Sequence, residues 1–112
     1  MTLACCLDED FLALPKGDKT KVGEMGHILS GGQRSRISLA RALYKRDSDI
    51  VLIDGTLSSL DALVARKVLE NAIKGDLCRD KVVFLVTYDL DQASEMDFIL
   101  YVSDDGSVSV ID

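Results

Sequence analysis

No apolar run in this chain comes near the roughly 20 residues that a bilayer-spanning helix needs. Runs such as Ile50 to Ile53 and Val82 to Val86 are far shorter. There is no basic excess either. Thirteen Lys and Arg stand against 19 Asp and Glu, giving a formal net charge of -6, and no block of five like charges occurs. That balance argues against a nucleic-acid groove or an anionic membrane surface, so no nucleic acid is expected as a partner. A basic signal-peptide segment is missing, and Asp8, Glu9 and Asp10 stand near the N-terminus instead. Cysteine is scarce. Cys5, Cys6 and Cys78 are odd in number and lack metal-ligand spacing. They read as reduced cytosolic thiols packed as small apolar residues. No internal repeat or low-complexity segment is visible.

What is present suits a soluble globular piece of one domain at most: 112 residues, 47% apolar and 29% charged. Thr2 to Leu7 reads as a short helix. Asp8 is placed to cap another that runs to Leu14 and is ended by Pro15. Lys16 to His27, with Gly17, Gly23 and Gly26, reads as loop. From Gly32 to Tyr44 the spacing is helical, with Ile37, Ala40 and Tyr44 in one stripe and Leu39 and Leu43 beside it. Arg34, Ser38, Arg41 and Lys45 fall on the opposite face. Arg36 falls inside the apolar arc, so its stem should be buried and its head must find an acceptor.

Ile50 to Ile53, bounded by Asp49 and Asp54, suits a strand buried on both faces, and Val82 to Val86 repeats the pattern. Asp61 is placed to cap a helix whose inner face is Val64, Ala65, Val68, Leu69, Ala72 and Ile73, with Gly75 ending it. Asp89 caps one more short helix. Phe98 to Val102 and Val108 to Ile111 read as a hairpin around Asp105-Gly106. Alternating strands and helices predict a mostly parallel α/β sheet, while residues 1–46 show no strand pattern.

Two positions suggest chemistry. Leu29-Ser30-Gly31-Gly32-Gln33 opens the long helix. Two glycines let a phosphate approach the backbone, Ser30 offers a hydroxyl, and the helix end adds free N–H groups and positive potential. The plainer reading is a helix start with Ser30 as its cap. A pair of glycines is a poor helix start unless something must come close. Asp54 stands at the C-terminal end of a strand, the edge where open α/β sheets bind ligands, and suits a Mg²⁺ ion that keeps its waters. Alone, it reads better as a loop aspartate that merely ends the strand.

Taken together, these segments resemble the nucleotide-binding domain of ATP-binding cassette (ABC) proteins. Leu29 to Gln33, continued by Arg34 to Leu43, is similar to the ABC signature. Ile50 to Asp54 resembles the Walker B strand, Ser58-Ser59-Leu60-Asp61 the D-loop, and Leu85-Val86-Thr87-Tyr88 the switch-histidine segment. Leu14 to Gly26 resembles the C subfamily, the multidrug-resistance-associated proteins and their relatives. The resemblance implies an α/β fold. It would be the C-terminal half of a P-loop NTPase ABC domain, part of the helical subdomain followed by mostly parallel strands with flanking helices and a closing hairpin. Residues 1–46 would be the helical subdomain remnant and signature helix. Residues 47–112 would hold Walker B, the D-loop and the switch segment, the whole being one partial domain.

The same resemblance implies two such domains closing head to tail over ATP and Mg²⁺. Ser30, Gly31, Gly32 and Gln33 would contact the phosphates of ATP held by a second nucleotide-binding domain, with Asp61 in the D-loop and Asp54 on Mg²⁺ through water. Transmembrane domains of the same transporter would be the other partners, at the cytoplasmic face of a membrane. No Walker A loop is present. Gly17-Asp18-Lys19-Thr20 lacks the upstream glycine and follows no strand. The parent is therefore expected to be an ATPase, and these residues alone inactive.

Two departures touch catalysis. Gly55 stands where the family has its general-base glutamate, and glycine cannot orient or deprotonate water. Tyr88 stands at the switch-histidine position, where it can hydrogen-bond but is no imidazole. Thr56 replaces the usual proline. An intact signature beside a degenerate hydrolytic centre implies a first nucleotide-binding domain. The alternatives are a nucleotide-gated channel or regulatory subunit of the same subfamily, or a soluble DNA-repair-type ABC ATPase. His27 reads as a loop residue beside the helix start, and Arg36 as a structural arginine.

Overall fold

The structure, a computed structural model, describes residues 1–23 and 28–111. Glu24, Met25, Gly26 and His27 lie outside the described residues, so the reading of His27 and the end of the Leu14-to-Gly26 stretch go with them. The elements in chain order are helix α1 (Asp8–Ala13), helix α2 (Gly31–Tyr44), strand β1 (Ile50–Asp54), helix α3 (Ala62–Val68), strand β2 (Val82–Val86), helix α4 (Leu90–Ser94) and strands β3 (Ile99–Val102) and β4 (Val108–Ile111). Strands β1 and β2 pair in parallel, with Ile50 opposite Val82 and Asp54 opposite Val86. Strands β3 and β4 form a separate antiparallel hairpin. Its turn uses Gly106 at φ +82°, a conformation that costs glycine nothing.

The N-terminal segment departs from the sequence expectation. Residues 2–6 form turns, not a helix, and Cys6 takes a positive φ of 55° that a helix cannot contain. Asp8 is the first residue of α1, not its cap. Leu7 holds the cap position without a side-chain bond, and Asp8 Oδ1 accepts from Thr2 Oγ1 at 3.1 Å. Leu14 leaves the helix with ψ 144°, the extended geometry that a following proline imposes.

One core joins α2, β1 and α3. Leu39 and Leu43 of α2 meet Val51 and Ile53 of β1, together with Ala65 and Val68 of α3 and Leu69, Ala72 and Ile73 beyond it. Cys5, Leu7 and Cys78 close the cluster. Each large aliphatic side chain buried there contributes about 1.5–3 kcal/mol relative to exposure. The predicted inner face of α3 is thus confirmed. Its final turn is a π-turn over Leu69–Ile73, closed by Lys74 N–H donating to Leu69 O at 2.8 Å. A Cβ at Gly75 would lie 2.2 Å from Asn71 O, so only glycine permits that exit.

The strands are half-buried, not covered on both faces as the apolar runs predicted. Val51 and Ile53 face the core, while Leu52 is 74% exposed and Ile50, Val82, Phe84 and Val86 are also exposed. Among the described residues, helices cover only one side of the β1–β2 pair. Tyr44, expected in the apolar stripe, is exposed as the last residue of α2, while Leu43 beside it is buried in the core. The lone proline, the glycine exits and the Asp61 cap fell where the sequence placed them.

Candidate functional site

The first turn of α2 is built on a reciprocal cap. Ser30 is extended at φ -65° and ψ 164°, and its Oγ accepts from Gln33 N–H at 3.1 Å. Gln33 Oε1 accepts from Ser30 N–H at 2.8 Å, completing a capping box. Arg34 N–H begins the helical ladder by donating to Ser30 O at 3.0 Å. Buried Leu29 anchors the entry, while Ser30 and Gly31 are exposed. A Cβ at Gly31 would meet nothing within 4 Å. The plain reading of Ser30 as a cap therefore holds, and that cap leaves the exposed helix start uncovered. The cap uses a lone pair of Ser30 Oγ and leaves its proton free to donate. The N–H groups of Gly31 and Gly32 precede the helical ladder, as in any helix start.

Compared with Gly31, Gly32 is less open. A Cβ there would lie 3.4 Å from Ser59 O and 3.4 Å from Leu60 Cδ2. The 3₁₀ turn Leu57–Ser59 that follows β1 rests on the start of α2, with Leu57 buried beneath it. Hydroxyls close that turn: Ser58 Oγ donates to Gly55 O at 2.7 Å and Ser59 Oγ to Thr56 O at 2.8 Å. Ser59 Oγ also lies 2.6 Å from Ser35 Oγ on α2. Asp61 then caps α3, accepting from Val64 N–H at 3.1 Å.

The β1–β2 register brings the second group of residues to one sheet edge. Asp54 ends β1 directly beside Val86, the last residue of β2. Gly55 leaves β1 at φ +66°, and Thr87 and Tyr88 leave β2. Asp54 is exposed and Tyr88 wholly so. Thr87 is fixed by donating to Gln92 Oε1 at 2.8 Å and accepting from Asp89 N–H at 3.0 Å. Asp89 in turn caps α4, accepting from Asp91 N–H at 2.9 Å. A single exposed carboxylate at a strand's C-terminal edge fits a hard divalent cation that keeps most of its waters. Among the described residues no group of three His, Cys, Asp or Glu side chains converges to enclose a metal.

Sequence reasoning missed the partner of Gln33 and Arg36. Gln33 Nε2 donates to Asp10 Oδ1 at 3.0 Å, and Arg36 forms an ion pair with the other oxygen of the same carboxylate. The burial of Arg36 gave a signal that an acceptor was required, but nothing in the spacing pointed to α1. Elsewhere, burial raises the Cys5 thiol to about 11 and pushes Cys78 up as well, as expected for cysteines packed like small apolar residues.

No protein-family model matches the chain. Individual relatives do. ATP-binding cassette sub-family C member 3 of Homo sapiens is 44% identical over 107 residues, 95% of this chain and 7% of the relative. ABC transporter C family member 2 of Dictyostelium discoideum is 46% identical over 99 residues, 88% of this chain and 7% of that protein. The vacuolar heme ABC transmembrane exporter abc3 of Schizosaccharomyces pombe is 44% identical over 106 residues, 94% of this chain and again 7% of the relative. The chain thus spans about 7% of the length of these relatives. No helix among the described residues is long and apolar enough to cross a membrane. With identities in the forties across most of its residues to ABC transporters, the chain belongs, as a segment of an ABC domain, to the C subfamily of ATP-binding cassette proteins.

Proposed function

We propose that these residues are part of the ATP-driven motor domain of a membrane transporter and lend its signature to a partner domain's ATP site. The observation that supports this most is the open, capped start of α2. Ser30 and Gly31 are exposed, Gly31 has nothing within 4 Å of a would-be Cβ, and the free N–H groups lie at the positive helix end. The Ser30 hydroxyl and the Gly31 and Gly32 N–H groups would bind the phosphates of ATP held by a second nucleotide-binding domain. Gln33 would shape that cradle more than touch the ligand, since its amide is already engaged at both ends. Asp61 would face the same partner from the D-loop.

On this reading Asp54 would hold Mg²⁺ through water for a nucleotide bound by its own domain. Beside it, the hydrolytic position is degenerate. Gly55 has no group to orient or deprotonate water, and Tyr88 offers a phenol hydroxyl where the family has an imidazole. An asymmetric pair of sites follows, with this domain the first of the two. Residues 1–46 would belong to its helical subdomain and residues 47–112 to its α/β part. Transmembrane domains of the same protein would couple it to transport at the cytoplasmic membrane face.

Gly31→Asp in the intact protein tests the reading. The new carboxylate would stand where the helix end favours a phosphate, so steady-state ATP turnover should nearly vanish. Turnover equal to that of the unmodified protein would show that α2 serves no working site.

A further inference from the structure

The amide of Gln33 has two ends and two partners of opposite kind. Its Oε1 accepts from Ser30 N–H at 2.8 Å, and its Nε2 donates to Asp10 Oδ1 at 3.0 Å. The second oxygen of Asp10 takes the Arg36 guanidinium in an ion pair whose side chains are only 12% and 18% exposed. One carboxylate from α1 therefore grips two α2 residues that lie 23 and 26 positions further along the chain. A carboxylate without a proton only accepts, and a guanidinium only donates. With Arg36 on one oxygen, the other can face only the NH₂ end of Gln33. That leaves Oε1 for Ser30 N–H.

We propose that Asp10 is a positioning residue for the phosphate-facing end of α2. It sets the orientation of the Gln33 amide, which sets the capping box, which holds the Ser30 hydroxyl and the Gly31 and Gly32 N–H groups in place. The inference deepens the proposed function of Ser30 to Gln33 and rests on it. Without Asp10, the two orientations of the amide compete, and the reversed one sets NH₂ against the Ser30 N–H. Two donors then face each other and the cap opens.

The chemistry supplies a swap that separates positioning from mere stapling of α1 to α2. In Asp10→Asn, the new side chain keeps its oxygen toward Arg36 and turns its NH₂ toward Gln33, forcing the amide to reverse. Adding Gln33→Glu restores every pairing. The asparagine NH₂ donates to one oxygen of the glutamate, whose other oxygen accepts from Ser30 N–H. The Arg36 contact is the same in the single and the double variant, so a staple acting through Arg36 predicts no difference between them.

Two readouts are taken on the intact protein: hydrogen exchange of the Ser30 amide without nucleotide, and the apparent KM for MgATP. Asp10→Asn should speed Ser30 exchange and raise KM, each by roughly tenfold, the loss of about one charge-assisted hydrogen bond. The double variant should return Ser30 exchange to within about twofold of the original, as expected for directly coupled residues. Because it leaves no donor unpaired, it reports even if the single variant folds poorly. Unchanged exchange in Asp10→Asn, or no recovery in the double variant, overturns the inference. Gly31→Asp run alongside separates the two levels. If it abolishes turnover while the Asp10 variants behave like the original, only the positioning role fails. If it leaves turnover untouched, the proposed function fails and the inference with it.

Discussion

Gly32 faces the Ser59 carbonyl: a Cβ added to Gly32 would lie 3.4 Å from that oxygen. The segment leaving β1 therefore leans on the first turn of α2, and the Ser59 and Ser35 hydroxyls, 2.6 Å apart, pin the same junction. Two motifs well separated in sequence thus form one mechanical unit.

Gly31 and Gly32 at the start of α2 should respond in opposite directions. Gly31 has open space and no positive φ, so Gly31→Ala should stabilise the domain by about 0.5–1 kcal/mol through reduced freedom of the unfolded chain. Gly32→Val would push branched methyls into Ser59 O and Leu60, costing about 1–3 kcal/mol. Denaturant midpoints of the two variants check this. Equal destabilisation of both would mean that the Gly32 contact with the 57–60 segment is not tight.

Restoring a glutamate at position 55 should help little. Gly55 sits at φ +66°, where a side chain costs roughly 1–2 kcal/mol. The neighbouring Tyr88 is also unchanged. A working general base contributes roughly 10²–10⁴-fold. Gly55→Glu alone should raise ATP turnover by less than about tenfold, and Gly55→Glu with Tyr88→His by more. Single-turnover ATPase assays on both variants decide it, and a full recovery from Gly55→Glu alone would contradict the degenerate-centre reading.

Alkaline pH should weaken the core through Cys5. Burial raises its thiol from 9.0 to about 11, so the unfolded chain ionises there first. The sign follows from linkage: stability from this group is complete below pH 9 and falls as pH rises from 9 to 11. Cys5→Ala should flatten that decline while lowering stability at neutral pH through the cavity it leaves. Urea midpoints across this range test it, and a slope indifferent to Cys5→Ala would exclude the thiol.

Much of the fold was legible because it is local. The α2 stripe of Leu39 and Leu43, the α3 face from Ala65 to Ile73, the Asp61 and Asp89 caps and the Asp105-Gly106 turn all depend on residues a few positions apart. The burial of the strands was not legible. Leu52 and Phe84 are as apolar as Ile53 and Leu85, and nothing in the run says which face a helix will cover. The Leu69–Ile73 π-turn was equally hidden, since its apolar spacing is also that of an α-helix. At the candidate site, the residue types of Ser30 to Gln33 and Asp54 carried the resemblance. The Asp10 clamp and the Gly32–Ser59 contact join distant segments, and only three-dimensional packing brings them together.

Contact between α2 and ATP is open to direct observation. ATP bearing a photoreactive azidoanilide on its γ-phosphate would be bound to the intact protein with Mg²⁺, irradiated, and the labelled peptides mapped by mass spectrometry. The peptide containing Ser30 to Arg34 should carry label, and Gly31→Asp should remove it. Label confined to other peptides, in a protein that still turns over ATP, would show that the signature of this chain does not meet the nucleotide.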